Sequence, residues 1–346
     1  MITKENYGFS SKGRVFRYTL TNQQGMCVKV LNYGGIITEC HVPDRNGKLD
    51  DVVLGFDNLT SYLKKHPYFG VLVGRVAGRI TKAKYTNEGK DVFLKANDGF
   101  NHLHGGEEGF DKKLWVSEII ELNGRDALEL SLLSPSGDQG YVGEVQIKVI
   151  YQLRQNNELL ICYYAKSDSK TPLSLTQHSY FNLAGEAKGT TLGHKIKIHA
   201  ESYTSSDESM TLSDKIEPVE NTAADLREWT SLKEKVKTFH KEHGELYWSK
   251  EHKDREDTLV AEVYEPESGR HLEVRTSYPC LQFYTGKYIS DEWVGKSGQA
   301  YQSFSGLCLE CQKYPNPNGV DGHGANWCHP DQDYLETTSY KFSVKT

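Results

Sequence analysis

The sequence predicts an all-β fold, a large antiparallel β-sandwich with few short helices. Short stretches of alternating apolar and polar residues recur along the chain, and Gly, Asn, Asp and Pro separate them. Apolar residues at helical spacing are rare, so strands do not alternate with long helices and a parallel α/β sheet is disfavoured. Because no linker or repeat divides the chain, residues 1–346 are predicted to form a single domain.

The clearest strands form a predicted hairpin in the middle of the chain. Val145, Ile147 and Val149 alternate with polar residues, which buries one face of a strand. The polar turn at 155–157 separates it from a second strand at 158–164. Further strands are predicted at 27–31, 36–42, 128–133, 195–199, 260–264, 272–276, 282–285, 306–310 and 340–344. So many strands imply stacked, curved sheets.

Helical patterns are confined to two short segments. One is predicted to begin at Asp57, with Leu59 and Leu63 at helical spacing. The other is predicted to be capped by Ser231.

Composition excludes several classes of partner. The net charge is −6 and no basic run is interleaved with aromatic residues, so a nucleic-acid partner is not expected. No apolar run is long enough to span a membrane, and the N-terminus lacks the apolar core of a signal peptide. Seven cysteines, an odd number spread thinly, do not form a disulfide framework. These features predict a cytoplasmic protein without a membrane partner.

Four separate stretches each hold polar residues within an apolar frame. Two of them centre on a histidine and one on a glutamate. A carboxylate and an imidazole that converge on one ligand are what proton transfer at neutral pH requires. The stretches are Gly74-Arg75-Val76-Ala77-Gly78-Arg79-Ile80, Asn101-His102-Leu103-His104-Gly105-Gly106, Leu175-Thr176-Gln177-His178-Ser179-Tyr180-Phe181-Asn182-Leu183 and Cys308-Leu309-Glu310-Cys311-Gln312.

His178 is predicted to lie on a strand. Thr176, His178 and Tyr180 then share one face, which places the imidazole between two hydroxyl side chains. A buried histidine that is satisfied by a neighbouring hydroxyl is the alternative interpretation.

Glu310 stands within an apolar strand. A carboxylate is costly to bury there unless it is paired or takes part in chemistry, which favours a functional role. On a strand, Cys308, Glu310 and Gln312 face one side. Cys308 and Cys311 face opposite sides, so this C-x-x-C pair is predicted to be structural.

His102 and His104 form an H-x-H pair. Two such imidazoles on one face could bind Zn²⁺, but no nearby pattern supplies the remaining ligands. Gly105 and Gly106 instead predict a tight turn that brings the backbone close to a ligand. We therefore expect a histidine that contacts substrate, and no metal site.

Arg75 and Arg79 lie in an apolar, glycine-containing stretch. Arginines in such a setting pair with a carboxylate or bind a polar ligand. The glycine spacing matches neither a phosphate-binding loop nor a dinucleotide-binding fingerprint, so nucleotide binding has no support.

These stretches, in this order, resemble the galactose mutarotase (aldose 1-epimerase) family, and the likeness covers essentially the whole chain. The segments around His178 and His104 are the most specific. The other matching segments are Asn32-Tyr33-Gly34-Gly35, Asp51-Val52-Val53-Leu54-Gly55-Phe56, Gly109-Phe110-Asp111-Lys112, Gln282-Phe283-Tyr284-Thr285-Gly286 and Tyr340-Lys341-Phe342-Ser343-Val344.

The resemblance implies a galactose mutarotase-like supersandwich with an open cleft, no cofactor, and interconversion of the α and β anomers of free aldoses such as D-galactose and D-glucose. It implies that Glu310 is the general base and His178 the general acid. It implies that Arg79, His104 and Gln282 bind the substrate. Tyr180 lies in the same segment as His178 and is expected to line the substrate site with it. A monosaccharide is the implied partner, and the chain is expected to be a monomer or a homodimer.

The chain departs from the family pattern at three positions. Gly78 stands where an Asn is usual, and Gln177 replaces a common Asn. Glu245 stands where an Asp that contacts sugar hydroxyls is usual, and it keeps the charge with one added methylene. All three departures are therefore expected to affect the contacts with sugar hydroxyls, and so sugar preference or rate.

Three other functions remain open. A hexose-6-phosphate 1-epimerase on the same scaffold would need additional Lys or Arg around the phosphate. A noncatalytic sugar-binding protein would keep the cleft without turnover. A glycoside hydrolase could use Glu310 and Glu245 as its two carboxylates, but the histidines would then have no evident role.

Overall fold

The computed structural model describes residues 1–249, 257–320, 323 and 325–345. In these residues the regular secondary structure consists mainly of antiparallel strands, numbered here in chain order. The predicted all-β class with few short helices is confirmed. None of the helices in these residues is long and apolar enough to cross a membrane.

The largest sheet has nine strands and contains the predicted central hairpin. Its order is β11 (Val116–Leu122), β12 (Arg125–Ser134), β13 (Val145–Leu153), β14 (Glu158–Ser167), β28 (Tyr334–Val344), β24 (Arg270–Thr276), β23 (Thr258–Tyr264), β18 (Lys195–Ile198) and β21 (Thr230–Ser231). Val145 pairs with Ser167 at one end of the hairpin, and Leu153 pairs with Leu159 next to the turn.

A six-stranded sheet packs against the nine-stranded sheet. Its order is β17 (Tyr180–Phe181), β26 (Leu307–Gln312), β25 (Cys280–Tyr284), β22 (Leu246–Trp248), β19 (Ser202–Thr204) and β20 (Glu217–Pro218). Leu309 and Phe283 of this sheet lie in one buried cluster with Val149 and Ile161 of the large sheet. The shared core makes the two sheets a sandwich.

The N-terminal strands form a separate five-stranded sheet, and four pairs of short strands complete the fold. The five-stranded sheet runs β1 (Ile2–Ser10), β2 (Gly13–Thr21), β3 (Cys27–Leu31), β4 (Ile37–Pro43) and β5 (Leu49–Asp51). The pairs are β6 (Val71–Val73) with β16 (Thr176–His178), β7 (Arg79–Ile80) with β10 (His102–Leu103), β8 (Lys84–Asn87) with β9 (Lys90–Phe93), and β15 (Thr171–Pro172) with β27 (Trp327–Cys328).

The helices are single turns. They are α1 (Leu59–Tyr62), α2 (Leu232–Lys235) and the 3₁₀ segments Thr81–Ala83, Phe110–Lys112, Asp138–Gly140, Thr191–Gly193, Val236–Thr238 and His240–Glu242. The predicted start of α1 at Asp57 is one residue early, because the Asn58 side chain accepts the Ser61 N–H and caps the helix. Ser231 is the N-cap residue of α2, as predicted, but its side chain makes no capping hydrogen bond.

Strand β26 shows how the fold exposes a polar face to a cavity. All of its residues are buried. Leu307, Leu309 and Cys311 point into the core between the sheets, as the period of two requires. Glu310 and Gln312 therefore point the other way, and both line a cavity on the far side of the sheet.

Candidate active site

One cavity of about 220 Å³ is lined by all the residues that were predicted from the sequence to be catalytic or substrate-binding. It lies beside the six-stranded sheet and the ends of the β6–β16 and β7–β10 pairs. The assigned residues in its wall are Gly78, Arg79, His104, His178, Tyr180, Glu245, Gln282 and Glu310. Distant parts of the chain thus converge on one space, as the resemblance implies.

Glu310 lies on β26 in the cavity wall, with 3% of its surface exposed. Its Oε1 is 3.5 Å from Nε2 of His178. Its Oε2 is buried without a hydrogen-bond partner among the described residues. Burial raises the pKa of Glu310 to about 8, and the positive charge of Arg79 opposes that shift only partly. The carboxyl is positioned to exchange a proton with a ligand in the cavity.

His178 is the last residue of β16, and its ring lies between two tyrosine rings. The Tyr180 ring is 5.0 Å away at 27°, and the Tyr68 ring is 5.9 Å away at 24°. Nδ1 is 3.6 Å from Sγ of Cys308, so the sulfur rather than a hydroxyl is its side-chain partner. Burial lowers the pKa of His178 to about 3. The two tyrosines and the cysteine fix the imidazole with Nε2 toward Glu310.

The structure reverses the order of pKa values that unperturbed groups would have. An ordinary carboxyl titrates below an ordinary imidazole. Here Glu310 and His178 are both buried, and burial disfavours the charged form of each. At neutral pH the resting pair is therefore a protonated carboxyl beside a neutral imidazole, so the one proton that the two groups can exchange lies on the carboxyl.

His104 follows β10 and adopts a left-handed backbone conformation, with φ of 51°. Its Nδ1 accepts the backbone N–H of Gly78 at 3.2 Å, so in the neutral ring Nε2 carries the proton. Burial lowers the pKa of His104 well below its usual value, and the neighbouring His178 adds to the shift. His104 is therefore a neutral hydrogen-bond donor.

The neighbouring histidine does not share this site. Nδ1 of His102 donates to the Lys95 carbonyl at 2.7 Å, and the His102 ring packs on Tyr141. The approach of the Gly105-Gly106 turn to a ligand stays a prediction, but the structure shows a packing role for Gly105. A Cβ there would lie 1.8 Å from the Gly74 carbonyl oxygen, so Gly105 allows two backbone segments to meet.

The two arginines of the glycine-containing stretch have different partners. Arg79 lines the cavity, and its Nε donates to Oδ2 of Asp98 at 2.7 Å. Arg75 is 2% exposed and points away from the cavity toward Ser134, whose hydroxyl and carbonyl both accept from it. Arg79 therefore has a carboxylate partner and a ligand-facing position, and Arg75 supports the fold.

Gly78 forms the cavity edge beside His104. Its φ is +80°, and a Cβ there would lie 2.7 Å from Cγ of Pro315 and 3.3 Å from Nε2 of Gln312. Both the backbone conformation and the space require glycine at this position.

Gln282 and Glu245 extend the polar wall across the sheet. Gln282 is paired with Glu310 in the β25–β26 register, and its Nε2 donates to the Phe283 carbonyl at 2.9 Å. Glu245 precedes β22 and is 5% exposed, and its Oε2 is buried without a partner in the described structure. Burial raises the pKa of Glu245 to about 8, although the Ser206 backbone N–H donates to its carboxyl group.

Several cavity residues were not assigned from the sequence. Tyr68, His243 and Tyr284 bring aromatic rings to the wall, and Tyr68 has a φ of 61°. Tyr68 and His243 lie outside the strands, where the sequence carries no signal of side-chain orientation. Tyr284 could have been found, because the period of two places it on the face of Gln282. Gln312 could have been found, because the period of two places it on the face of Glu310.

The site also has a geometry that could hold a metal ion. Ligand atoms of His104, His178 and Glu310 lie within 4.8 Å of one another. Two neutral imidazoles are suitable ligands, whereas the nearby Arg79 charge disfavours a cation. The same three groups can serve as proton donors and acceptors, so the geometry fits either use.

The comparisons with known proteins agree on one family. Residues 17–341 match the family model described as aldose 1-epimerase. The galactose mutarotase of Sus scrofa is 40% identical over 345 residues, which are 99% of each chain. The aldose 1-epimerase of Escherichia coli K12 is 31% identical over 358 aligned positions, again 99% of each chain. A solved GalM/aldose epimerase homologue from C. elegans has a TM-score of 0.87 at 28% identity, covering 95% of this chain and 98% of its own.

Proposed function

This chain belongs to the aldose 1-epimerase family, and on that premise we propose that it interconverts the α and β anomers of free aldoses such as D-galactose and D-glucose. The observation that carries the proposal is the 3.5 Å approach of Glu310 Oε1 to His178 Nε2 in the wall of a cavity. A carboxyl and an imidazole held together are the two groups that a ring opening by proton transfer requires.

The reaction moves one proton off the sugar and one onto it. Glu310 removes the proton of the anomeric hydroxyl, and His178 delivers a proton to the ring oxygen. The bond between the anomeric carbon and the ring oxygen breaks, which leaves an open-chain aldehyde. Rotation about the carbon 1–carbon 2 bond presents the other aldehyde face, and ring closure returns both protons. No atom is gained or lost by the protein.

The single proton of the resting pair is sufficient for this cycle. Ring opening needs an ionised Glu310 and a protonated His178, which together hold the same number of protons as the neutral resting pair. The positive charge of Arg79 favours the ionised carboxyl. Sugar hydroxyls in the cavity can donate to the unpaired Oε2, which favours it further.

The remaining wall residues bind and orient the sugar. Arg79 and the neutral His104 donate hydrogen bonds to sugar oxygens. Gln282 and Glu245 contact hydroxyls on the other side of the cavity. The Tyr180 ring holds His178 in place, and Gly78 lets the backbone pack closely against Pro315 at the cavity edge.

Two features weigh against the alternative functions. Arg79 is the only Lys or Arg among the described residues that line the cavity, and Asp98 already pairs with it. A phosphate group would have no free cation there, which disfavours a hexose-6-phosphate substrate. The carboxyl of Glu310 approaches a histidine rather than standing alone, which disfavours a hydrolase that uses only two carboxylates.

The other properties follow from the same chemistry. The reaction consists of proton transfers, so we propose that it needs no cofactor and no metal. We propose a cytoplasmic protein, because an odd number of cysteines spread thinly along the chain suits a reducing compartment. We also propose a single domain, because no linker or repeat divides the sequence, and a monomer or homodimer.

Polarimetry tests the proposed activity directly. Freshly dissolved α-D-galactose is followed in buffer that contains EDTA, with and without the protein. We expect optical rotation to reach its equilibrium value much faster with the protein. No acceleration with any free aldose would reject the proposal in favour of a noncatalytic sugar-binding protein.

A further inference from the structure

Gln312 lines the cavity but has no part in the proton transfers described above. It is the last residue of β26 and lies on the same face as Glu310, two residues further along. Two residues of strand span about 6.6 Å, so the two side chains reach different parts of one ligand. Gln312 is 1% exposed, so its amide is held in the wall rather than in solvent.

The amide of Gln312 is incompletely paired. Its Oε1 is buried and has no hydrogen-bond partner among the described residues. Its Nε2 makes only a long contact of 3.4 Å with the Lys313 carbonyl, whereas Nε2 of Gln282 donates at 2.9 Å. A buried acceptor that stays unpaired destabilises a fold, so such an atom at a cavity wall indicates a missing donor from a ligand.

Gln312 lines the cavity next to Gly78 and Pro315. A Cβ at Gly78 would come within 3.3 Å of Nε2 of Gln312. Pro315 would lie even closer to that Cβ, at 2.7 Å, so the backbone of Gly78 packs directly against both residues at the cavity edge. A neutral amide oxygen without a charged partner suits a neutral hydroxyl donor better than a charged group.

We propose that Oε1 of Gln312 accepts a hydrogen bond from a ring hydroxyl other than the anomeric one, and that Gln312 thereby determines which aldoses are converted. This inference rests on the proposed interconversion of anomers. It adds a residue that selects the substrate for that reaction. A site that is built to pair with a hydroxyl rejects the analogue that lacks it, because the acceptor is then left buried and unpaired.

Deoxy sugars and substitutions at one position test this contact together. The kcat/KM for anomerisation is measured with D-galactose and its 2-, 3-, 4- and 6-deoxy forms, for the wild-type protein and Gln312→Leu. We expect one deoxy sugar to lose about 10- to 100-fold in the wild-type protein. Gln312→Leu should lose a similar factor with galactose and almost nothing more with that deoxy sugar.

Two further variants keep the test decisive. Gln312→Met, which retains the side-chain length, replaces the leucine variant if that variant is unfolded. Gln152→Leu is the matched control, because Gln152 is a buried glutamine of β13, remote from the cavity, whose Nε2 donates to the Leu122 carbonyl. The control should keep the full penalty for the deoxy sugar.

The outcomes separate this contact from the proposed function. If the wild-type protein turns over galactose but the Gln312 variants keep every deoxy penalty, the contact is refuted and the activity stands. The same holds if no deoxy sugar carries a penalty in the wild-type protein. If the wild-type protein converts no free aldose, the proposed function fails and this inference fails with it.

Discussion

Nε2 of His178 lies 3.5 Å from Oε1 of Glu310, although the two residues come from different strands far apart in the chain. β17 pairs with β26 at Tyr180 and Cys308, and this pairing brings the two segments together. Both side chains are almost fully buried, at 4% and 3% exposure, which makes them a coupled proton-carrying pair.

The pH dependence of turnover should reflect the pair rather than two ordinary groups. With pKa values of about 8 for Glu310 and about 3 for His178, the pair holds one proton throughout the range between them. We expect kcat/KM to be flat across that range, to fall at lower pH as a second proton binds, and to fall at higher pH as the last proton leaves. Polarimetry from pH 4 to 9.5, corrected for the uncatalysed rate, measures the flat region and the fall at high pH. A basic limb near pH 6.5 would show that His178 titrates as an ordinary imidazole.

The Glu310 carboxyl should cost stability as the pH rises. Its pKa in the folded protein is raised to about 8 from 4.5, so only the unfolded chain releases this proton between those values. Stability therefore falls with rising pH in that window, by up to about 1.4 kcal/mol per unit. Glu310→Gln removes this loss, so its free energy of unfolding should exceed that of the wild-type protein increasingly from pH 4.5 to 8.

Urea denaturation at several pH values measures this difference. Glu121→Gln is the control, because Glu121 is exposed on β11. A gain that is the same at pH 5 and pH 8 would contradict the raised pKa.

Glu245 should affect substrate binding more than the chemical step. Its buried, unpaired Oε2 lines the cavity, and its raised pKa of about 8 keeps the carboxyl protonated at neutral pH. We expect Glu245→Ala to raise KM about 10-fold with little change in kcat, and Glu245→Gln, which keeps a neutral donor, to restore most of the loss. Initial rates across a range of galactose concentrations separate the two constants. A fall in kcat at unchanged KM would place Glu245 in the chemistry instead.

Gly78 should be sensitive to any side chain. Gly78→Ala adds a Cβ at 2.7 Å from Pro315 Cγ and forces a non-glycine residue to φ of +80°. Gly89→Ala is the matched control, since φ there is +77° and nothing lies within 4 Å of the added Cβ. Both should lose about 1–2 kcal/mol to backbone strain, but only Gly78→Ala should also lose activity. Equal activity in the two variants would show that the cavity edge tolerates a side chain.

Much of the fold could be predicted from local pattern. The alternation of Val145, Ile147 and Val149 predicted β13 because one face of that strand is buried against the core. The start of α1 was misplaced by one residue, because Asp57 and Asn58 are both capable caps and only the folded chain selects one.

The candidate site was predicted as a set of residues but not as an electrostatic environment. The motifs and the family resemblance predicted that Glu310 and His178 belong to one site, and the structure places both in one cavity wall. The sequence could not predict their shifted pKa values, because the shifts arise from burial by residues that long-range pairing supplies. The position of Tyr68 against His178 depends on a left-handed turn for which a tyrosine is an unusual choice.

The anomerisation rate of Glu310→Gln tests the central claim most directly. Glutamine keeps the shape of the side chain but cannot accept the anomeric proton. We predict a loss of at least about 10²-fold in kcat. Galactose should still bind, which thermal unfolding with added galactose can show, because a ligand that binds only the folded state raises Tm. Equilibration of fresh α-D-galactose at close to the wild-type rate would contradict the assignment of Glu310 as the base.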